Sequence, residues 1–334
     1  MGPRVRILVV GPAFAPWDLG TYVREILDRR GIATRTYAYA VGRHGEIQRG
    51  LRRACREFRP DLLFGLKLDR IAPETLRAVR RAGTRVLLWL VDYVAPSPPT
   101  WLRRGVRECD AVFVTGKGFV PELRALGSAP VHWVLEGVHL PAFPAIDVGA
   151  AQRRLFGSDV AFVGSVYHPS PDPEAFRARA RLLRAVAARH DLKVWGPQRY
   201  PGTRRRLGGR LTLIQWPAYN HDFVRVCRSA RIVLGINLVN SIELYFSNRT
   251  FLTLAAGGFH LTHYVPGLET LFGNHEHLVW FRSQAECLEL IAHYLARPAQ
   301  ARAIAERGRA YVRRRFGMTG QVRRILRMMD VGDA

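Results

Sequence analysis

Ile232-Val233-Leu234-Gly235-Ile236, followed after a short interval by Ser247-Asn248-Arg249-Thr250-Phe251-Leu252-Thr253-Leu254-Ala255-Ala256-Gly257-Gly258-Phe259, decides how the chain folds. The first stretch is a continuous apolar run of strand length, the pattern of a strand buried on both faces. The second opens on Ser247 and Asn248, both good N-cap residues, and its apolar positions then recur at helical spacing. Gly257-Gly258 stops the helix, and Phe259–Thr262 resumes as a strand. Strand, helix and strand joined by short turns form the repeating unit of a parallel sheet.

The same alternation extends in both directions. Upstream in the second half, Asp159–Val163, Leu192–Trp195 and Leu211–Ile214 read as strands. Pro173–Arg189 and His221–Arg228 read as helices, His277–Trp280 as a further strand, and Gln284 to Met329 as an almost wholly helical tail. The first half repeats the theme, with strands expected at Val5–Val10, Thr34–Tyr39, Asp61–Gly65, Arg85–Val91, Ala111–Thr115 and Val131–Val134. Helices are expected at Trp17–Arg30, Glu46–Phe58, from Pro73, and from Lys117 to Gly127. Leu140-Pro141-Ala142-Phe143-Pro144 is broken by proline and lacks periodicity, which marks an interdomain linker. The expected α/β architecture has one Rossmann-like domain over 1–140, a linker over 141–158, and a second such domain over 159–316. A C-terminal helix over 317–334 returns to the first domain. Ligands in such sheets bind at the carboxyl ends of the strands, and two facing sheets would form a cleft between them.

With 334 residues the chain is long enough for two ordinary cores, and 48% hydrophobic with 23% charged residues is globular composition. A disordered tail, a collagen-like repeat and a disulfide-rich miniprotein are excluded. No apolar run reaches the roughly 20 residues that span a bilayer. The start, Met1-Gly2-Pro3-Arg4-Val5-Arg6, has no signal-peptide pattern, so a cytoplasmic protein is expected. Cys55, Cys109, Cys227 and Cys287 lie far apart without a CxxC pair and read as buried small hydrophobes.

Charge is the unusual quantity. Lys plus Arg is 51 against 27 acids, a net of +24, and only Lys67, Lys117 and Lys193 are lysines. The excess is spread over both halves, with 23 basic and 14 acidic residues in 1–150. Such a field attracts nucleoside diphosphates, anionic lipid headgroups or nucleic acid, although a solvated arginine-rich surface accounts for it equally. Arg249 is more pointed, because a cation in the first turn of a helix opposes the macrodipole. An anion bound at that N-terminus would remove the conflict, whereas a solvent-facing arginine would simply tolerate it.

These segments resemble the second domain of the spore-maturation (CgeB-like) glycosyltransferases. The resemblance is carried by Asn237, Asn248-Arg249-x-Phe251, Ala255-Ala256-Gly257-Gly258-Phe259 and Pro266-Gly267-Leu268-Glu269-x-Leu271-Phe272. Tyr294-Leu295-Ala296-Arg297-Pro298 and Ile304-Ala305-Glu306-Arg307-Gly308-Arg309 agree with it, as does Phe162-Val163-Gly164-Ser165. Trp89-Leu90-Val91-Asp92 and Cys109–Thr115 match more loosely. The resemblance implies a GT-B fold related to glycosyltransferase family 4, with a nucleotide-sugar donor on the second domain and the acceptor on the first. It assigns donor contacts to Gly164, Ser165, Asn237, Ser247, Asn248, Arg249 and Gly257. The family carries Glu directly after the motif phenylalanine, where it accepts from the donor ribose. Here that position is Leu252, which cannot accept, and Glu243 is the nearby carboxylate that could substitute.

On the first domain, Gly11 and Pro12 begin the loop after the opening strand and are expected near the sugar. Gly11-Pro12-Ala13-Phe14 is not GxGxxG, which argues against a dinucleotide site. Asp92, past an apolar strand, is the candidate base for the acceptor hydroxyl, and also a plausible loop cap before Pro96. His44 is a second candidate. Asn237 and Asn240 could hold sugar hydroxyls or make Asx turns. No Asp-x-Asp pair occurs, which favours a leaving diphosphate stabilised by Arg249 and a helix dipole without metal or other cofactor. The leading expectation is transfer of a sugar to an unknown acceptor, most naturally a cell-envelope glycan or lipid. Arg49, Arg52, Arg53, Arg56 and Arg59 could rest on an anionic membrane. Transfer to a nucleic-acid base, and a GT-B module that binds without turnover, are the alternatives.

Overall fold

Ile7–Val10, Leu62–Leu66 and Val86–Leu90 lie buried along their lengths, as continuous apolar strands must when helices cover both faces of a sheet. The computed structural model describes residues 5–39, 42–91, 99–127, 129–166, 173–196 and 208–331. The chain divides into two units, Met1–Glu136 with Met318–Ala334, and Gly137–Gly317.

In the first unit β1 (Arg6–Val10), β2 (Ala33–Tyr37), β3 (Leu62–Leu66), β4 (Arg85–Leu90), β5 (Ala111–Val114) and β6 (Val131–Trp133) form one parallel sheet, ordered β2-β1-β3-β4-β5-β6. Between them run α1 (Leu19–Asp28), α2 (His44–Phe58), α3 (Pro73–Arg81), α4 (Thr100–Gly105) and α5 (Val120–Arg124). The strand order reverses between β1 and β3. There Gly11 turns at φ +148°, and a Cβ on it would lie 2.8 Å from the Leu66 carbonyl oxygen. Lys67 and Leu68, just past β3, both take left-handed backbone, at φ 67° and 57°. Such conformations cost of order 1–3 kcal/mol each and persist only where the surroundings impose them.

The second unit contains α6 (Ala150–Phe156), β7 (Val160–Val163), α7 (Pro173–Ala187), β8 (Leu192–Trp195), β9 (Leu211–Ile214), α8 (Asn220–Ser229) and β10 (Ile232–Gly235). It continues with α9 (Arg249–Ala256), β11 (His260–His263), β12 (Val279–Phe281), α10 (Gln284–Leu295) and α11 (Pro298–Arg315). Its sheet is also parallel, ordered β12-β11-β10-β7-β8-β9. The last helix, α12 (Met318–Met328), belongs to the first unit, where it packs on α1. The Met329 carbonyl after it accepts a hydrogen bond from Arg85. Among the described residues no helix is long and apolar enough to cross a membrane.

The expected linker over 141–158 needs correction. Phe143 and Val148 are buried, Arg313 donates to the Phe143 carbonyl at 2.9 Å, and α6 fills part of the interval. Phe156 stacks on Trp195 at 5.3 Å. Local breakage by proline was real, but apolar anchors tie the segment into the second unit.

Gly308 fixes how α11 crosses α9. A Cβ there would lie 2.1 Å from the His277 carbonyl oxygen and 2.9 Å from Leu254 Cδ2. Glycine to alanine inside a helix ordinarily gains up to about 1 kcal/mol. Here backbone stands in the way, so Gly308→Ala is expected to destabilise by about 1–3 kcal/mol, measured as a lower urea midpoint with unchanged m-value. A stabilised variant would mean that α11 sits further from residue 277.

Candidate functional site

In the second sheet the chain builds outward from β7 in both directions, with β8 and β9 on one side and β10, β11 and β12 on the other. The reversal falls between β7 and β10. Ligands of open parallel sheets bind in the crevice at the carboxyl ends of the strands flanking such a switch. β7 and β10 pair only through Val160 with Ile232 and Ala161 with Val233. Beyond those pairs β7 stays with β8 as far as Val163–Trp195, and β10 stays with β11 as far as Gly235–Thr262, so the two ends part. A pocket opens there, with Val163, Ile236, Asn237, Ser247 and Arg249 among its walls.

Arg249 is the first residue of α9, and its guanidinium lies against Gly164. A Cβ on Gly164 would sit 3.4 Å from Nη2 and 3.5 Å from Cζ. Burial opposes the Arg249 charge and lowers its pKa, while nearby Tyr219 works the other way. Arg179, on α7, is buried more deeply, at 4% exposure. Its Nη1 donates to the Ser165 carbonyl at 2.9 Å and its Nη2 to the Ile236 carbonyl at 3.1 Å. Burial, and then the Arg249 charge, push its pKa down to about 9, so it keeps its proton at neutral pH. No described carboxylate stands against either guanidinium. Among the described residues, two cations are thus held in one crevice without counter-charge, an arrangement that costs several kcal/mol until an anion arrives.

The opening turn of α9 is fixed by polar contacts to the sheet. His260, 1% exposed, makes a 3.1 Å hydrogen bond from Nδ1 to the Val233 carbonyl, and Thr250 Oγ1 lies 3.2 Å from Nε2. Because a carbonyl only accepts, Nδ1 carries the proton and Nε2 accepts from the threonine. Burial, and then the Arg249 charge, lower the His260 pKa to about 4, against the favourable Val233 bond. Asn237 Oδ1 accepts the Ser247 N–H at 2.9 Å, which fixes the entry to the helix. The positive end of the α9 dipole therefore faces the crevice beside Arg249.

The sequence-derived residues fall into place unevenly. Ser247, Arg249 and Asn237 line the pocket. Asn237 spends its amide on Ser247, Asn240 and the His263 carbonyl, so it shapes the turn. The helix runs from Arg249, and Asn248 before it has helical dihedrals and makes no side-chain cap. Gly164, expected as a donor contact, donates its N–H to the Trp195 carbonyl at 2.8 Å and supplies room for Arg249. Ser165 supplies the carbonyl that Arg179 holds. Gly257 lies at the other end of an eight-residue helix, about 12 Å away along its axis. At φ 84° it ends α9, and Gly258 N–H closes back on the Thr253 carbonyl at 3.0 Å. It is a helix stop and is not part of the pocket lining. Glu243 is exposed beside Gly267 and is not part of the pocket lining, and Leu252 is also outside it.

In the first unit His44 is the exposed first residue of α2. Gly11 and Pro12 form the β1–α1 turn, where the Pro12 carbonyl accepts from Gly20 at 2.9 Å. Asp92 lies outside the described residues. Sequence reasoning missed Arg179 and His260. The available signal for Arg179 was its phase, in register with buried Phe176, Leu183 and Val186 on the apolar face of α7.

Residues 177–327 match the sequence family described as Glycosyl transferase-like. No curated protein matches the chain. Among solved structures it superposes on HepE of Anabaena in complex with UDP and glucose, at 13% identity, covering 98% of this chain and 100% of that one, with a TM-score of 0.71. Sucrose-phosphate synthase of Thermosynechococcus elongatus gives 14% identity, 98% and 99% coverage and a TM-score of 0.70. A putative UDP-N-acetylglucosamine 2-epimerase of Listeria monocytogenes gives 12%, 98%, 96% and 0.64. At such identities the likeness is one of fold, and an epimerase shares it. The architecture is GT-B, and the stretch matched by the glycosyltransferase-like family contains β10, α9 and β11.

Proposed function

We propose that the protein transfers a glycosyl group from a nucleoside diphosphate sugar to an acceptor hydroxyl, with the diphosphate received at the switch between β7 and β10. The observation that carries this reading is the pair of arginines, Arg179 and Arg249, beside the N-terminus of α9 and without counter-charge among the described residues. Departure of a nucleoside diphosphate leaves negative charge on its terminal phosphate, and preformed positive groups in a water-poor crevice stabilise that charge as it develops. The UDP bound by HepE supports a uridine nucleotide as the first probe. Arg249 and the helix dipole take the place that a metal ion holds in other transferases, so turnover persists in EDTA.

The resemblance of Asn248–Phe251 and its surroundings to the spore-maturation transferases supports an envelope glycan or lipid acceptor. Arg49, Arg52, Arg53 and Arg56 are exposed on α2, a face suited to an anionic surface.

Calorimetry with UDP, GDP and dTDP tests donor binding, and release of free sugar from the matching nucleotide sugar tests turnover. One of the three is expected to bind, with slow donor hydrolysis in EDTA. Absence of binding by all three overturns the reading; binding without hydrolysis or transfer reduces the protein to a binding module.

A further inference from the structure

We propose that Arg179 is a positioning residue for the donor, its forked guanidinium setting the gap between the ends of β7 and β10 at which the diphosphate is received. The inference rests on the donor reading above and adds a residue that does not itself line the pocket. Backbone pairing between β7 and β10 stops at Ala161 and Val233, so past that point the sheet no longer fixes the distance between the strands. Past that point Arg179 ties them, bonding the Ser165 carbonyl beyond β7 and the Ile236 carbonyl beyond β10. Ser165 lies two residues past the pocket residue Val163, and Ile236 lines the pocket itself. A planar fork with donors in fixed directions can hold two acceptors at a set spacing, which a lysine ammonium on a flexible stem cannot.

The surroundings of Arg179 point to a ligand as well as to a structural tie. The guanidinium is buried, stands 5.0 Å from the Phe176 ring and 5.6 Å from the Phe162 ring, and has no described carboxylate beside it. Its Nε has no hydrogen-bond partner among the described residues. A purely structural strut between two carbonyls needs no full charge, and burying one is expensive. The charge is useful if an anion completes the site. The Arg249 guanidinium, whose charge opposes that of Arg179, lies against Gly164.

The test compares the wild type with Arg179→Gln and Arg179→Lys. Each is titrated with whichever of UDP, GDP and dTDP the wild type binds most tightly, and with its parent nucleoside. Folding is checked by circular dichroism, and if the glutamine variant does not fold, the lysine variant carries the comparison. Arg179→Gln is expected to weaken the diphosphate tenfold or more and to leave the nucleoside within about threefold. Arg179→Lys is expected to lose nearly as much, because it keeps charge but not the fork. A lysine variant as tight as the wild type overturns the positioning role. So does a parallel loss for diphosphate and nucleoside, which is the behaviour of a residue that only supports the fold. If the wild type binds none of the three, the donor reading fails and takes the Arg179 role with it. Binding with unaltered discrimination in both variants overturns the Arg179 role alone.

Discussion

Arg249→Met is expected to bind a nucleoside diphosphate about thirtyfold to several thousandfold more weakly, a loss of about 2–5 kcal/mol, while remaining as stable as the wild type without ligand. The two halves of this expectation have one cause. Arg249 is a cation in a crevice that burial makes unfavourable, and no described carboxylate relieves it. Taking it away from the empty protein removes an uncompensated charge, and methionine refills the volume of its apolar stem. Taking it away from the complex leaves the phosphate charge facing only Arg179 and the α9 dipole. The Arg179 pKa, which the Arg249 charge depresses, would also rise. Calorimetry beside a thermal melt separates the halves. Undiminished binding places the diphosphate away from α9, whereas a large fall in melting temperature means that Arg249 is chiefly a packing residue.

Acid should strip stability from the protein through His260. In the unfolded chain a histidine titrates near 6.5, and in the fold burial holds His260 near 4. Between those values the unfolded state takes up a proton that the native state refuses. Stability is therefore complete above about pH 6.5 and falls as pH drops toward 4. A shift of this size corresponds to about 3 kcal/mol, a large share of the margin of an ordinary domain. His132, His190, His263 and His277 also have lowered values, chiefly through burial, and add to the same slope. His260→Asn keeps an amide donor for the Val233 carbonyl and does not titrate, so its difference from the wild type isolates one residue. Urea unfolding from pH 7.5 to 4.5 should show the wild type losing about 2–3 kcal/mol more than the variant. Superimposable acid profiles would falsify the neutral, buried assignment. The site would feel the loss early, because protonated His260 can no longer accept from Thr250 in the first turn of α9.

Strands were legible wherever both faces are covered, because burial on two sides writes an unbroken apolar run. Leu192–Trp195 and Leu211–Ile214 begin and end where their residues suggest. Helix starts were less legible. Asn248 has the side chain of a cap but helical dihedrals, so tertiary contacts decide where α9 opens. Arg249 was visible because it violates a local rule, a cation where the dipole disfavours one. Gly164 was also visible, yet its amide belongs to the ladder with β8, and only the packing shows that its missing side chain is what matters. Arg179 was hidden in a helix crowded with arginines. Its neighbours Arg177 and Arg181 pair with Glu174 at the surface, and nothing in composition tells an inward arginine from these two. Gly257 was legible as a helix stop, because a glycine after the last helical apolar position marks the left-handed turn that ends α9.

The return of α12 to pack on α1 bears on biosynthesis. The unit Gly137–Gly317 is uninterrupted, so all its parts leave the ribosome in one stretch and it can close on itself while translation continues. The N-terminal half emerges earlier but lacks the helix that covers α1 and the carbonyl that Arg85 grips. It must wait, with that face bare, until residues 318–328 have been made. Of the two units, the one begun earlier is therefore the one completed later.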